Sequence, residues 1–172
     1  QIARIKTITE CAREIDRIPV LLGRSMERYN TTAEVLKQVA FPQGTSIYGN
    51  RKTTDRMLRR VLKEGKDKFL LVATGHQGEP GSMLSRIALN ETPLKIEKGD
   101  KILFSANIIP TPTNYAQRAE VDRLLIRQGA RIFDGLHVTG HAYYQEHYDL
   151  LAMLNPEHII PSHGPFSMKA GH

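Results

Sequence analysis

The sequence predicts an α/β fold in which a mostly parallel sheet is covered by helices on both faces. Short apolar runs, of which Ile18–Leu22 and Phe69–Ala73 are the clearest, have the length and composition of buried strands. Helical apolar periodicity alternates with these runs along the whole chain, and glycine or small polar residues follow each run. Alternating strands and helices favour a parallel sheet with helices on both sides.

The composition indicates a basic protein without internal disulfides or membrane spans of its own. The chain has 172 residues, a formal net charge of +6 and a pI near 9.5, which favour a polyanionic partner. Its single cysteine, Cys11, excludes an internal disulfide and any zinc site built on several cysteines, and its helical setting predicts a small buried side chain. We see no secretory signal and no apolar run of the roughly 20 residues that span a membrane. The opening at Gln1, in a helical pattern, indicates a fragment of a longer protein.

The first half of the chain predicts three helices around two strands. The first helix has its apolar face at Ile2, Ile5, Ile8, Ala12 and Ile15. After the strand Ile18–Leu22, Thr31 and Glu34 have capping-box spacing and predict that a second helix begins there. Thr53 or Thr54 is expected to cap the third helix, which ends at Gly65 before the strand Phe69–Ala73.

The second half continues the alternation. A helix resumes at Ser82, a strand is predicted at Lys101–Ser105, and residues 107–114 are expected to form a loop. The next helix carries its apolar residues at Ala116, Ala119, Leu124 and Leu125 and is closed by Gly129, before a strand at Arg131–Phe133.

The C-terminal stretch predicts one more β-α-β unit. His141 follows Thr139-Gly140 after an apolar segment, His163 follows Ile159-Ile160-Pro161, and helical spacing lies between them. A right-handed crossover would bring both strand ends to one edge of the sheet, so the two imidazoles are candidates for a shared site. From the residues alone, ordinary loop histidines remain an equal alternative, and two imidazoles do not complete a zinc site.

A glycine-rich turn, Thr74–Gly81, joins a strand to a helix, where backbone amides can bind phosphate. Its spacing is neither the dinucleotide fingerprint nor a P-loop, so a tight turn without ligand stays open as an interpretation. Glu79 would repel a phosphate if it pointed inward, and Arg86 on the following helix could pair with Glu79 or face a ligand. The carboxyl ends of parallel strands are where such sheets bind ligands.

A basic cluster precedes this turn. Between positions 51 and 68, three acidic residues accompany a larger set of cations, which are Arg51, Lys52, Arg56, Arg59, Arg60, Lys63, Lys66 and Lys68. This pattern is typical of a solvated helix face, and it also fits a surface that contacts a nucleic-acid backbone without sequence preference. Because aromatic residues are sparse, the sequence does not indicate a platform for stacking bases.

Five segments of the chain form a recognisable set when they are taken in order. They are Gly23-Arg-Ser-Met26, Thr74-Gly-His-Gln-Gly-Glu-Pro-Gly-Ser-Met-Leu-Ser-Arg-Ile-Ala88, Gly99-Asp-Lys-Ile-Leu-Phe-Ser105, His137-Val-Thr-Gly-His141 and Ile160-Pro-Ser-His-Gly164. The second segment is similar to the signature Thr-Gly-Ser-Gln-Gly-Glu-Pro followed by Ser-Arg-Ile-Ala of the RNase J family, and the whole set resembles that family, most closely its archaeal branch. These ribonucleases consist of a metallo-β-lactamase domain with an inserted β-CASP domain. The resemblance implies a β-CASP domain at 1–135 and a segment at 136–172 that returns to the lactamase domain.

The resemblance also implies roles. It implies that His141 lies at the catalytic centre as a proton donor and that His163 is a zinc ligand. It also implies that two segments and one helix residue bind RNA near its 5′-monophosphate end. The first segment contributes His137, Thr139 and Gly140, the second contributes Gly75, His76 and Gln77, and the helix residue is Arg86. The implied parent is a cytoplasmic, homodimeric 5′-to-3′ exoribonuclease, with endonuclease action as a second mode, that uses two zinc ions to activate water.

Two alternatives and several departures accompany this interpretation. The upstream zinc ligands of the family do not occur in this chain, which is therefore expected neither to bind two zinc ions tightly nor to cleave RNA alone. Thr139 replaces a bacterial serine, and Pro165 stands where many members carry an acidic residue. An endonuclease of the cleavage and polyadenylation specificity factor type and a non-catalytic RNA-binding module are the alternatives; a nucleotide-binding domain is disfavoured by the glycine spacing.

Overall fold

The computed structural model describes residues 2–136 and 142–160, and the chain divides into two compact units, Gln1–His137 and Val138–His172. The first unit alternates helices and strands, as the sequence predicts. Its elements in order are α1 (Ile2–Glu14), β1 (Ile18–Leu22), α2 (Arg24–Val35), β2 (Ser46–Tyr48), α3 (Arg51–Glu64), a 3₁₀ turn (Lys66–Lys68), β3 (Phe69–Ala73), α4 (Met83–Ala88), β4 (Lys101–Leu103), α5 (Pro112–Arg127) and β5 (Arg131–Phe133). Among its described residues, the second unit contains α6 (Tyr144–Leu154).

All strand pairs in the described residues are parallel, which confirms the α/β class. One sheet has the order β2-β1-β3, and a second sheet pairs β4 with β5, with Ile102 opposite Ile132. The single sheet expected from the sequence is therefore two sheets in this part of the chain. The sheet formed by β2, β1 and β3 is called the three-stranded sheet below.

Helices cover both faces of the three-stranded sheet because β1 alternates its side chains between two cores. Val20 and Leu22 pack with residues from α3 and α4, among them Leu58 and Ile87, whereas Leu21 packs with Ile5 of α1 and Met26 of α2. A third core joins α4, α5 and the second sheet. These layers place the carboxyl ends of β1, β2 and β3 at one edge of the three-stranded sheet, because parallel strands end on the same side.

The predicted start of the second helix is wrong. Helix α2 begins at Arg24, directly after β1, and Thr31 and Glu34 lie in its final turns, so they do not cap its start. Gly23 has φ 128° and allows the chain to turn from strand to helix within one residue, which a capping pattern does not reveal. Val35 is exposed at the end of this helix.

Cys11 is exposed, so its predicted burial is also wrong. Helix α1 buries Ile5, Thr9 and Ala12, and a residue next to Ala12 in sequence lies about 100° around the helix from it. Cys11 therefore falls on the side of α1 that faces solvent.

Other boundaries differ by a few residues. Asn50 caps α3 by accepting a hydrogen bond from the amide of Lys52, in place of the threonines expected there. Helix α5 begins inside the predicted loop because Thr111 caps it and Pro112 suits its first turn. The short strand β2 has no counterpart in the sequence prediction.

The C-terminal unit shows the predicted helix and not the strand expected after it. Helix α6 ends at Asn155, which adopts a left-handed conformation before Pro156. Ile159 and Ile160 are exposed and belong to no strand, since no described residue pairs with them. Across residues 2–136 and 142–160, no helix has both the length and the apolar character needed to cross a membrane.

Candidate functional site

The glycine-rich turn after β3 is closed by its own backbone and serine hydroxyls. The amide of Leu84 donates to Thr74 O over 2.9 Å, and that of Gly78 donates to Gly75 O over 3.0 Å. Gly75 has φ 121°, and a Cβ there would collide with Ser82 Oγ, so this close return requires glycine. The turn is thus held at both ends, at the carboxyl edge of the three-stranded sheet.

Two serines fix the start of α4 against the turn. Ser82 caps the helix, its Oγ accepting from the Ser85 amide and donating to Ser85 Oγ over 2.9 Å. Ser85 Oγ in turn donates to the carbonyl of Glu79 over 2.8 Å. Ser85 is buried, so this chain of hydrogen bonds contributes to the rigidity of the turn.

The carboxylate of Glu79 points at its own turn. Its Oε2 accepts a hydrogen bond from the Gln77 amide over 3.2 Å. In this conformation that amide is not available to a phosphate, and the carboxylate adds negative charge next to it. The arrangement disfavours a free nucleotide bound by the backbone of this turn, which agrees with its unusual glycine spacing.

Gln77 connects the turn to the segment after β4. Its side chain is buried, its Nε2 donates to Asn107 O over 3.3 Å, and its Oε1 accepts from the Ile109 amide over 2.9 Å. Both ends of the side-chain amide are therefore engaged by backbone. The role of Gln77 as a direct substrate contact stays a prediction, while its contacts fix where the 107–109 segment lies.

Arg118 of α5 is the residue of this region that sequence reasoning missed. It is 1% exposed, and its Nη1 donates to the carbonyl of His76 over 3.1 Å. Its Nη2 binds both carboxylate oxygens of Asp134 at 2.8 and 3.0 Å, and its Nε binds Asp122 at 2.8 Å. The guanidinium also lies 3.0 Å from the centre of the Phe104 ring. One side chain thereby joins the turn, α5 and the residue that follows β5.

The backbone of the turn packs directly on Arg118. Gly78 has φ 75°, and a Cβ at this position would lie 2.5 Å from the carbonyl carbon of Gln117 and 2.6 Å from the Arg118 amide nitrogen. A sequence signal for Arg118 did exist: it lies three and seven positions before Val121 and Leu125, on the apolar face of its helix. A charged residue on a buried face needs partners, which here are Asp122 and Asp134.

Arg86, a predicted substrate contact, lies between helices. Its Nη2 is 3.7 Å from Asp55 Oδ1 of α3, its Nε is 4.0 Å from Glu91 Oε2, and its side chain is 14% exposed. The alternative that it pairs with Glu79 is not what the structure shows. Asp55 Oδ1 is buried without a hydrogen bond, so its interaction with Arg86 is electrostatic rather than a close contact. The predicted role of Arg86 toward a ligand is not tested by these contacts.

The remaining predicted site residues lie outside the described part of the chain. They are His137, Thr139, Gly140, His141 and His163. Within residues 2–136 and 142–160, no three histidine, cysteine or acidic side chains converge as a metal site would require. Of the predicted set, the structure therefore positions Gly75, His76, Gln77 and Arg86, and it gathers the first three in one turn.

Comparison with known proteins identifies the family. Residues 1–124 match the family model of the ribonuclease J β-CASP domain, and residues 126–172 match that of the zinc-dependent metallo-hydrolase RNA specificity domain. The chain is 52% identical to ribonuclease J of Methanocaldococcus jannaschii over 98% of its length and 38% identical to that of Pyrococcus abyssi over 97%. It spans 38% and 36% of the lengths of these relatives. The β-CASP match covers well over half of the chain, which therefore belongs to the ribonuclease J family.

Proposed function

We propose that this chain forms the RNA-contacting part of a metal-dependent ribonuclease. The observation that carries the proposal is the turn at residues 74–82, which matches the family signature and is held by Gln77 and Arg118. A substrate-binding loop needs such support, since contacts must keep their geometry while the substrate arrives. The relatives are named ribonuclease J, which supports RNA as the substrate of the longer protein.

Within this proposal each predicted residue has one task. His141 donates a proton to the leaving oxygen as the phosphodiester breaks, and His163 is a metal ligand. The segment at residues 137–140 and the turn at Gly75–Gln77 bind the RNA near its 5′-monophosphate end, the turn through groups other than the Gln77 amide, which already donates to Glu79. Arg86, which lies near Asp55, is the further RNA contact that we propose.

Metal chemistry belongs to the longer protein. Zinc, two ions in our proposal, would activate water for attack on phosphorus. His163 is the ligand that we propose for this chain, and the described residues do not form a donor set of their own. We further propose that the longer protein acts in the cytoplasm as a homodimer and degrades RNA from the 5′ end, with endonuclease action as a second mode.

RNA decay tests this function. The substrate is a 5′-monophosphorylated oligonucleotide with zinc present, and this chain is compared with the same sequence extended through the lactamase domain. We expect the longer protein to degrade the RNA. His141→Ala should slow this decay at least about a hundredfold, because a general acid is lost. Cys11→Ser, on the exposed side of α1, should leave the decay rate unchanged. A longer protein that leaves RNA intact, or that is indifferent to His141→Ala, contradicts the proposal.

The 5′ end provides a second test. A matched substrate with a 5′-hydroxyl should be degraded with a lower kcat/KM than the 5′-monophosphate, and His76→Ala should reduce that preference more than it reduces decay of the 5′-hydroxyl substrate. Equal rates on both substrates would leave an endonuclease or a general RNA-binding module as the better description.

A further inference from the structure

Helix α3 separates its residues into an apolar face and a basic face. Thr54, Met57, Leu58 and Val61 are buried against the three-stranded sheet. At 3.6 residues per turn, four exposed cations lie within an arc of about 60° on the opposite side. These residues, called the cation stripe below, are Lys52, Arg56, Arg59 and Lys63.

The acidic residues of α3 form their ion pairs with cations outside the cation stripe. Asp55 lies beside Arg86, and Glu64 pairs with Arg60 through a contact of 2.7 Å, all of them outside the stripe's arc. The hydrogen bond from Arg60 is also the main reason that the pKa of Glu64 is lowered, with Lys63 a smaller cause. Within the described residues, no member of the stripe forms an ion pair or a side-chain hydrogen bond.

This arrangement works against the stability of the helix itself. Lys52 and Arg56, like Arg59 and Lys63, are like charges at i and i+4, a spacing that destabilises helices. The first turn of α3 contains Arg51 and Lys52 and no acidic residue, although a helix N-terminus favours negative charge. A local pattern that opposes the fold is typical of a surface selected for binding.

The position of the cation stripe relates it to the turn at residues 74–82. Helix α3 begins after β2, at the same edge of the three-stranded sheet where β3 leads into the turn, and it then runs back along the sheet. An open cleft of about 450 Å³ lies at its start, lined by Asn50, Arg51, Lys52, Asp55 and Arg59. From Lys52 to Lys63 the stripe extends about 16 Å along the helix axis.

We propose that the cation stripe binds the phosphate backbone of single-stranded RNA as a second contact, separate from the turn at residues 74–82. This inference rests on the proposed function, which makes RNA the substrate. The stripe contains no apolar or aromatic side chain, so it offers neither the core of a protein interface nor a surface for stacking bases. Recognition is therefore by charge, without sequence preference, and it weakens as salt rises.

The test measures RNA affinity of the longer protein in the presence of a chelator, so that the RNA stays intact. The variant R56Q/R59Q/K63Q removes three charges of the cation stripe. We expect about tenfold to a hundredfold weaker binding of 5′-monophosphorylated polyuridine at ~0.1 M salt, and a log-log salt dependence shallower by about 2 because about three phosphate contacts are lost.

A second basic surface provides a matched control. Lys98, Arg127 and Arg131 line an open cleft of about 710 Å³ at the amino-terminal edge of the β4-β5 sheet, away from the strand ends that lead into the turn. K98Q/R127Q/R131Q changes the net charge by the same amount and should leave polyuridine affinity within about twofold. R56K/R59K keeps the charge of the stripe and should keep most of the affinity, since point charges suffice.

The outcomes separate this inference from the proposed function. If the stripe variant binds as the unchanged protein does, or if the control variant loses as much affinity, the cation stripe is not an RNA contact. If the unchanged protein does not bind polyuridine at all, the proposed function fails with it. A trinucleotide has few phosphates to place on the stripe, so the stripe variant should lose less affinity for it than for polyuridine. Thermal melting of the variant should not fall, because glutamine suits a helix as well as arginine or lysine and relieves the repulsion.

Discussion

Arg118 and the arginines of the cation stripe are the same side chain in opposite settings. Arg118 is 1% exposed and engages two carboxylates, a carbonyl and an aromatic ring. Arg56 and Arg59 are exposed, and none of the described residues pairs with them. Burial makes an unpaired charge costly, so a buried arginine must organise the groups around it. An exposed arginine stays hydrated and can leave its charge available to a partner.

Charged residues therefore have two uses in this protein, which are internal support and an exposed binding surface. The charges around Arg118 fix the turn at residues 74–82 and the residue after β5, and they are satisfied internally. The cation stripe is left unsatisfied at a cost to its helix. Variants of the first kind should therefore lower stability, whereas variants of the second kind should lower affinity without lowering stability.

Replacement of Arg118 should have the largest effect on stability. Arg118→Met keeps much of the side-chain volume but leaves Asp122, Asp134 and the His76 carbonyl without their donor. Because Asp134 is more than half exposed and can be hydrated, we expect a loss of about 2–3 kcal/mol of unfolding free energy rather than the full cost of a buried unpaired charge.

Arg118→Lys sharpens this prediction. Lysine keeps the positive charge but cannot bind Asp134 and His76 in the same plane. The unfolding free energy of the Arg118→Lys variant should therefore lie between that of the unchanged protein and that of the Arg118→Met variant. Chemical denaturation at neutral pH measures all three. Equal stability of the methionine variant and the unchanged protein would show that the interactions of Arg118 contribute nothing net.

Alanine variants of two glycines in the turn distinguish the stability cost of lost close packing from that of backbone strain. Gly78 and Gly81 have nearly the same φ, 75° and 74°, but a Cβ at Gly78 meets the backbone of α5, whereas a Cβ at Gly81 has nothing within 4 Å. Gly81→Ala should cost about 1 kcal/mol, the cost of the left-handed conformation alone. Gly78→Ala should cost about 1–2 kcal/mol more, because the turn must move away from Arg118. Equal denaturation midpoints for the two variants would contradict the close packing.

Gln77 offers a local readout of the same region. Gln77→Ala removes the acceptor of the Ile109 amide, so hydrogen exchange at that amide should be about fivefold faster, as expected for one hydrogen bond of ~1 kcal/mol. Asn114→Ala is the control, because Asn114 donates to the carbonyl of Ile109 and leaves its amide bonded. Similar acceleration in both variants would mean that the whole segment loosens, and that Gln77 has no special part in holding it.

The sequence was sufficient for elements whose signals are local. The apolar run Phe69–Ala73 predicted β3, and the helical pattern that resumes at Ser82 predicted α4, because both signals depend on neighbouring residues. Strand β2 has only three residues and no continuous apolar run, so its pairing with β1 decides its structure. The turn of Gly23 into α2 depends on one backbone angle and was equally hidden.

The candidate site was only partly predictable, for a similar reason. The signature Gly75–Gln77 is contiguous and could be found, but its supports come from far along the chain. Arg118 reaches His76 across 42 positions and Asp134 across 16, while Gln77 reaches Ile109 across 32. Distances of this kind follow from the fold as a whole, so the sequence showed the turn and not the residues that hold it.

The smallest predicted effect concerns Glu64, which limits the width of the cation stripe. The hydrogen bond from Arg60 lowers the pKa of Glu64, so the pair stabilises the fold above the ordinary pKa of glutamate and loses that contribution as pH falls through the lowered value. Glu64→Gln should therefore lower the denaturation midpoint slightly at about pH 7, and the difference from the unchanged protein should shrink as pH falls through the lowered pKa of Glu64. Both groups are exposed, so the change is small.

The same variant should slightly strengthen RNA binding. Glu64→Gln frees Arg60 at the border of the cation stripe, so the log-log salt dependence of polyuridine affinity should steepen by at most ~0.7, the value for one further phosphate contact. Glu120→Gln is the matched control, because Arg123 lowers the pKa of Glu120 through a similar exposed hydrogen bond on α5. It should reproduce the pH dependence of stability and leave the salt dependence unchanged. A gain in affinity from both variants would trace the effect to net charge, whereas a gain from Glu64→Gln alone places the RNA contact on α3.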